Sequence, residues 1–170
     1  MEHNLIKSKI DIKFIHYCDN CPLRLNNKHN KINLGKGFTF TKTMIVVPYH
    51  RINNINNTTY DLIDIVEKAY NKITNGNLTD NYYITALPKC YDVSLKDYNI
   101  IESASINCVK ILINELVTIC ANVENLILCG IKEEIIEHYL KINTISISHP
   151  YTYSTNPDKF EKELKNALNL

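Results

Sequence analysis

The 170-residue chain contains no apolar run that approaches the roughly 20 residues needed to cross a bilayer. A protein that spans a membrane by helices is therefore not expected. The first residues, MEHNLIKSKIDIKF, alternate charged with isolated apolar residues, so they lack the continuous apolar segment and cleavage site of a secretory signal. We expect a cytoplasmic protein, in the host cytoplasm if the protein is viral.

An excess of one charge is also missing, because the formal net charge is +1. A local basic stripe can bind phosphates on a neutral protein, so this value neither requires nor excludes a nucleic-acid partner. The apolar fraction of 45% and charged fraction of 22% are ordinary for a soluble globular protein. No internal repeat or linker is present, and we predict one domain over residues 1–170.

Short apolar runs with β-branched residues alternate with segments of helical period. The predicted strands are MIVVP (44–48), YYITAL (82–87), NLILCG (125–130) and TISIS (144–148). Helical periods are carried by Tyr60, Ile63 and Val66, and by Ile131, Ile135 and Tyr139. This alternation predicts an α/β protein, a three-layer α/β/α sandwich around a four-stranded, mainly parallel sheet.

Two helix starts carry capping signals. Ser94 and Asp97 form a capping-box pattern in SLKD, which predicts a long helix that continues to about Ile119. Asn156 before Pro157 predicts the start of the last helix.

The chain has six cysteines, and in a reducing compartment clustered thiolates more often bind metal than form disulfides. Four of them form a C-x2-C pair and two widely spaced single residues: Cys18, Cys21, Cys90 and Cys108. Four thiolates suit Zn²⁺ or a 4Fe–4S cluster, and the wide second spacing favours the cluster over a zinc ribbon. Cys120 and Cys129 are interpreted as buried structural thiols.

Several motifs in register resemble the iron–sulfur class of uracil-DNA glycosylases over nearly the whole chain. They are CDNCPLRL, LGKGFTFTKTMIVVP, YYITALPKC, LILCG and SHPYTYSTNPDKF. The resemblance implies an α/β/α sandwich and a structural 4Fe–4S cluster near the DNA. Its ligands would be the four cysteines Cys18, Cys21, Cys90 and Cys108.

The resemblance also implies roles for residues after the strands. The His-Pro motif of the family matches His149 and Pro150, so His149 is expected to stabilise the departing base. Tyr151 and Tyr153 fall in the loop that enters the duplex. Tyr60 corresponds loosely to a Phe that stacks on the base.

Two further tasks lack their usual residues. The family carries acidic residues after its first motif strand, whereas this sequence has no carboxylate from Met44 to Thr59. His50 could accept a proton there, and Asn53 or Asn54 could hold a water molecule. Ala86 stands where the family has an Asn that reads the uracil edge, so the expected base is not necessarily uracil.

Two functions are therefore open at this point. The first is a DNA-binding 4Fe–4S protein that excises a damaged or modified base by N-glycosidic hydrolysis. The second is a catalytically inactive DNA-binding subunit associated with a DNA polymerase or another replication protein, as known for degenerate members of this superfamily. A zinc-stabilised α/β domain unrelated to DNA is a third interpretation.

Overall fold

The structure is a computed structural model that describes residues 18, 21–23, 32–53, 59–90, 92–94 and 100–170. The strands are β1 (Lys36–Gly37), β2 (Thr43–Val47), β3 (Arg51–Asn53), β4 (Thr59–Asp61), β5 (Tyr83–Ala86), β6 (Asp92–Ser94), β7 (Asn125–Cys129) and β8 (Asn143–Ile147). The α-helices are α1 (Leu62–Thr74), α2 (Ile101–Thr118), α3 (Glu134–Glu137), α4 (Thr152–Thr155) and α5 (Pro157–Leu168). In this part of the chain, no helix has the length and apolar character to span a bilayer.

The main sheet has five strands in the order β1-β5-β2-β7-β8. Strands β5, β2, β7 and β8 run parallel, and they are the four strands predicted from the apolar runs. The α/β prediction is therefore confirmed. The fifth strand, β1, pairs antiparallel with β5 at the edge of the sheet. Its two residues, Lys36 and Gly37, carry no apolar pattern by which the sequence could have revealed them.

Helices cover both faces of the main sheet. On one face Val66 of α1 and Phe160 of α5 pack in a core that contains Ile45 of β2. On the other face Leu112 of α2 packs in a core that contains Met44 and Val46 of β2. Because both faces are buried, successive residues of β2 and β7 are apolar rather than alternating with polar ones.

The order of the strands creates a topological switch point. The chain passes from β2 to β5 through α1 on one face, and then from β5 to β7 through α2 on the other face. The first connection moves from β2 to its neighbour β5, and the second crosses back over β2 to β7 on its other side, so a crevice forms outside the carboxyl ends of β2 and β7. In open α/β sheets ligands bind in this crevice.

One of the two predicted helix starts is confirmed and the other is wrong. Asn156 is the N-cap of α5, since its side chain accepts a hydrogen bond from the Lys159 N–H at 3.2 Å. The predicted helix start at Ser94 is wrong, because Ser94 ends strand β6 and α2 begins at Ile101. Pairing of β6 with β3 supplies backbone hydrogen bonds that compete with the local helical preference. Asp97 lies outside the described residues.

Two periodic segments also have different bounds from those predicted. Tyr60 lies in β4, and α1 begins only at Leu62 because the Asp61 carboxylate caps it, accepting from the Ile63 N–H at 3.1 Å. Strands β4, β3 and β6 form a second, three-stranded sheet that the Asn-rich sequence did not indicate. The segment around Ile135 forms only the short helix α3.

A buried polar cluster lies between β5 and α2. The Glu115 carboxylate is fully buried, and it accepts hydrogen bonds from the Gly35 N–H at 2.6 Å and the Tyr83 hydroxyl at 2.8 Å. It also pairs with the Lys89 ammonium, which is buried as well and donates to the Thr85 hydroxyl. A buried charge pair of this kind is tolerated only when hydrogen bonds satisfy it, as they do here.

Candidate functional site

A cavity of about 150 Å³ opens at the carboxyl edge of the main sheet, at the switch point. Each of the four parallel strands contributes a residue that follows it: Tyr49 after β2, Leu87 after β5, Gly130 after β7 and His149 after β8. The remaining lining comes from Pro48, Ile101, Glu102, Ser105, Ile131, Lys132 and Ile135. Pockets for drug-sized ligands have about 300–1,000 Å³, so this one suits a smaller group, such as a single ring.

Hydrogen bonds assign the tautomer of His149. Its Nδ1 accepts from the Tyr151 backbone N–H at 3.0 Å, so Nδ1 carries no proton. The neutral ring therefore holds its proton on Nε2, which lies 3.1 Å from the Tyr49 hydroxyl oxygen and donates to it. Burial of the ring lowers the pKa of His149 from its ordinary value of 6.5. His149 thus presents a neutral N–H donor at the cavity.

Gly130 allows the close approach of His149. Its φ is +70°, a conformation that costs little only for glycine. A Cβ atom at this position would lie 2.7 Å from both Cα and Cβ of His149. The Gly130 N–H donates to the Ile147 carbonyl at 2.9 Å, which ties the end of β7 to the end of β8. A larger residue at position 130 would therefore displace the imidazole.

One carboxylate lines the same cavity. Glu102 lies in the first turn of α2, and its two oxygens are each 3.0 Å from the Lys132 ammonium nitrogen in the loop after β7. Their side chains are 56% and 66% exposed, so this pair lies at the rim of the cavity. Glu102 was not predicted from the sequence, because nothing in the helical pattern distinguishes a residue at the rim of a cavity from any other solvent-exposed residue.

The predicted DNA-contacting tyrosines divide into two groups. Tyr60 and Tyr151 pack edge to face with ring centroids 5.9 Å apart, and Tyr151 is 49% exposed. The structure therefore places Tyr60, which was predicted to stack on a base, against the loop that follows β8. Tyr153 instead packs on Phe160 of α5, with ring centroids 6.1 Å apart, and is partly buried against the core.

Two other predicted site residues, His50 and Ala86, are not among the residues that line the cavity. His50 is buried, with its Nε2 3.3 Å from the Asn33 carbonyl oxygen. Ala86 is buried in the core at the end of β5. Asn53 lies in β3, and Asn54 is outside the described residues. Tyr49, one residue before His50, is the side chain that reaches His149, and no motif had indicated it.

The four predicted ligand cysteines are all buried. Cys18 and Cys21 are joined by a hydrogen bond from the Cys21 N–H to the Cys18 carbonyl at 3.0 Å. The pKa of the Cys108 thiol is raised to about 12, mainly by burial and to a smaller extent by the nearby sulfurs of Cys21 and Cys18. The Lys89 backbone N–H, next to Cys90, donates a hydrogen bond to the Cys108 sulfur and lowers this pKa.

The N-terminal part of the chain reaches this region. Ile32 forms an antiparallel bridge with Cys90, and the Asn33 N–H donates to the Lys89 carbonyl at 2.8 Å. Among the described residues, however, no group of three or more His, Cys, Asp or Glu side chains is close enough to hold a metal ion. The four thiols fit a tetrathiolate centre in number and chemistry, but their sulfurs are not arranged as a coordination sphere. Cys120 and Cys129 are buried, as predicted.

No protein-family model matches the chain, and no curated protein matches it.

Proposed function

We propose that the protein binds DNA and hydrolyses the N-glycosidic bond of a damaged or modified base that rotates out of the helix into the cavity. The observation that carries this proposal is the neutral His149, whose Nε2–H lies at the switch-point cavity. As the bond breaks, the departing base becomes an anion. A fixed N–H donor at that point stabilises the anion more than the neutral ground state.

The walls of the cavity support the same chemistry. Pro48, Leu87 and Ile101 give it an apolar lining, which would exclude water from a bound base and strengthen the hydrogen bond from His149. The Tyr49 hydroxyl accepts from His149 when no base is bound. An entering base must therefore displace this hydroxyl or share the donor with it.

The DNA would lie across the rim of the cavity. The exposed Tyr151, supported by Tyr60, offers an aromatic surface to a neighbouring base. Lys132 offers a cation to a phosphate. Both lie beside the cavity into which the target base would turn.

A 4Fe–4S cluster on Cys18, Cys21, Cys90 and Cys108 belongs to the same proposal, with Zn²⁺ as the alternative occupant. When bound, such a centre would tie the N-terminal segment to the loop after β5 and to α2, and it would hold the thiols as thiolates. Visible spectra and metal analysis of protein purified without oxygen test it. We expect iron, sulfide and a brown colour, lost in Cys108→Ser and kept in the matched control Cys129→Ser. A colourless protein that contains zinc would contradict the cluster.

The enzymatic proposal is tested with labelled oligonucleotides that contain uracil, hypoxanthine or a hypermodified pyrimidine. Alkali cleaves any abasic site that forms, and we expect cleavage on one of these substrates. His149→Ala should lower the rate roughly 10²- to 10³-fold, the usual loss when one anion-stabilising donor is removed. The exposed His138 provides the control His138→Ala.

The inactive DNA-binding subunit is the second candidate, and one observation favours it. Ala86 is fully buried at the end of β5 and offers no hydrogen bond with which to read a base edge. Under this proposal the protein binds DNA through the same rim but leaves every substrate intact. Tight, salt-dependent DNA binding without any cleavage would select it over the enzyme.

A further inference from the structure

We infer that Glu102 is the reactive carboxylate of this site, placed to face the positive charge that develops on the deoxyribose. The inference rests on the proposed function and deepens it, because it names a residue for the task left unfilled by the loop after β2. The sequence has no carboxylate from Met44 to Thr59. Glu102 instead arrives from α2, and it lines the cavity together with His149.

Glu102 lies where the sugar of a flipped nucleotide would lie, rather than where its base would lie. A flipped base enters the cavity while its sugar and phosphates remain at the opening. Glu102 and Lys132 are more than half exposed, so they lie at this opening, whereas His149 and Tyr49 lie deeper. The carboxylate would therefore stand at the level of the sugar, and the ammonium at the level of a phosphate.

The Glu102–Lys132 ion pair also orients the carboxylate. Lys132 contacts both oxygens at 3.0 Å from the loop after β7, across the switch point from α2. Exposed pairs of this kind contribute little to stability. Replacing Glu102 should therefore leave the fold intact, so that its effect on DNA can be measured separately.

The chemical step balances without a further reactant. The bond between C1′ and the base nitrogen breaks, and its electron pair leaves with the base, which His149 stabilises. Water then forms a bond from its oxygen to C1′, and its proton passes to the Glu102 carboxylate and from there to solvent. The base anion takes a proton from solvent, so the products are a neutral free base and an abasic sugar.

Binding tests this inference independently of turnover. The probes are DNA duplexes that carry either a cationic pyrrolidine analogue of an abasic site or its neutral tetrahydrofuran counterpart. Wild-type protein should bind the cationic probe about fivefold more tightly or better, as expected for opposite charges about 4 Å apart in water. Glu102→Gln should lose this preference but keep its affinity for the neutral probe. It should also slow base excision at least about 100-fold.

The matched control is Glu124→Gln, which removes another exposed carboxylate from an ion pair, with Lys42, at the opposite edge of the sheet. It should keep both the preference and the rate. If wild-type protein excises a base and Glu102→Gln does so equally fast with the same preference, this inference fails alone. If wild-type protein neither excises any base nor prefers the cationic probe, the inference and the proposed enzyme fail together.

Discussion

Replacement of Gly130 by alanine should displace His149 and destabilise the protein. The new Cβ atom would lie 2.7 Å from Cα and Cβ of His149 and 3.0 Å from its Cδ2, closer than side chains normally pack. The backbone φ of +70° costs a residue other than glycine roughly 1–2 kcal/mol. Overpacking typically adds about 1–3 kcal/mol. The free energy of unfolding should therefore fall by roughly 2–5 kcal/mol.

This loss can be measured as a change in melting temperature. In a protein of this length, 1 kcal/mol corresponds to about 2–4 °C, so the Tm should fall by roughly 4–20 °C. The ¹⁵N chemical shifts of the His149 imidazole, measured by ¹H–¹⁵N NMR, should also change, because the hydrogen bonds to Tyr49 and Tyr151 depend on the position of the ring.

Gly76→Ala is the matched control for this substitution. A Cβ atom there would lie 3.5 Å from the nearest atom, the Thr74 hydroxyl oxygen, which is an ordinary contact. Its Tm should change by only a few degrees, because a tolerated Gly→Ala change is worth less than about 1 kcal/mol. The reasoning is refuted if Gly130→Ala keeps the wild-type Tm and the wild-type His149 spectrum.

Two further predictions concern buried ionisable groups. Glu115→Leu leaves the Lys89 charge buried without its partner, so the free energy of unfolding measured in urea should fall by about 3–5 kcal/mol. Adding Lys89→Met should recover most of this stability. A double variant as unstable as Glu115→Leu would contradict the argument. Because folding lowers the pKa of His149 below 6.5, the unfolded chain binds more protons as the pH falls through that value. The contribution of His149 to stability should thus be complete above about pH 7.5 and decline through 6.5 towards its folded pKa, and His149→Gln should remove this part of the pH dependence in urea titrations.

The sequence predicted the central strands because their physical signal is local. The runs MIVV and LILC are buried on both faces, so apolar residues follow one another without interruption. The edge strand β1 and the strands of the second sheet have no such signal, since each strand is only two or three residues long and largely polar. The helix start predicted at Ser94 was wrong because Ser94 pairs with Asn53 of β3, about 40 residues earlier, and a local pattern does not reveal such a distant partner.

The candidate site was only partly predictable for a different reason. His149 was predicted because His149 and Pro150 resemble the His-Pro motif that follows the last strand in the glycosylase family, and the ends of parallel strands converge at one edge of a sheet. Tyr49, Gly130 and Glu102 stand on three other elements, and only the order of the strands brings them to His149. The sequence contains each residue, but the sequence distance between them says nothing about this convergence.

The strand order also shows how α2 would supply the carboxylate that the proposed reaction requires and that the sequence after β2 does not contain. At the switch point the loops after β2 and β7 separate, and the first turn of the helix that crosses between β5 and β7 lines the gap. A side chain at position 102 therefore approaches the same cavity as one from the loop after β2, but from the side of the rim. The proposed excision needs a negative charge near the sugar, and the Coulomb attraction depends on the distance of that charge rather than on the element that supplies it. A change in which element supplies the carboxylate thus leaves the chemistry available, provided that His149 keeps its donor in place.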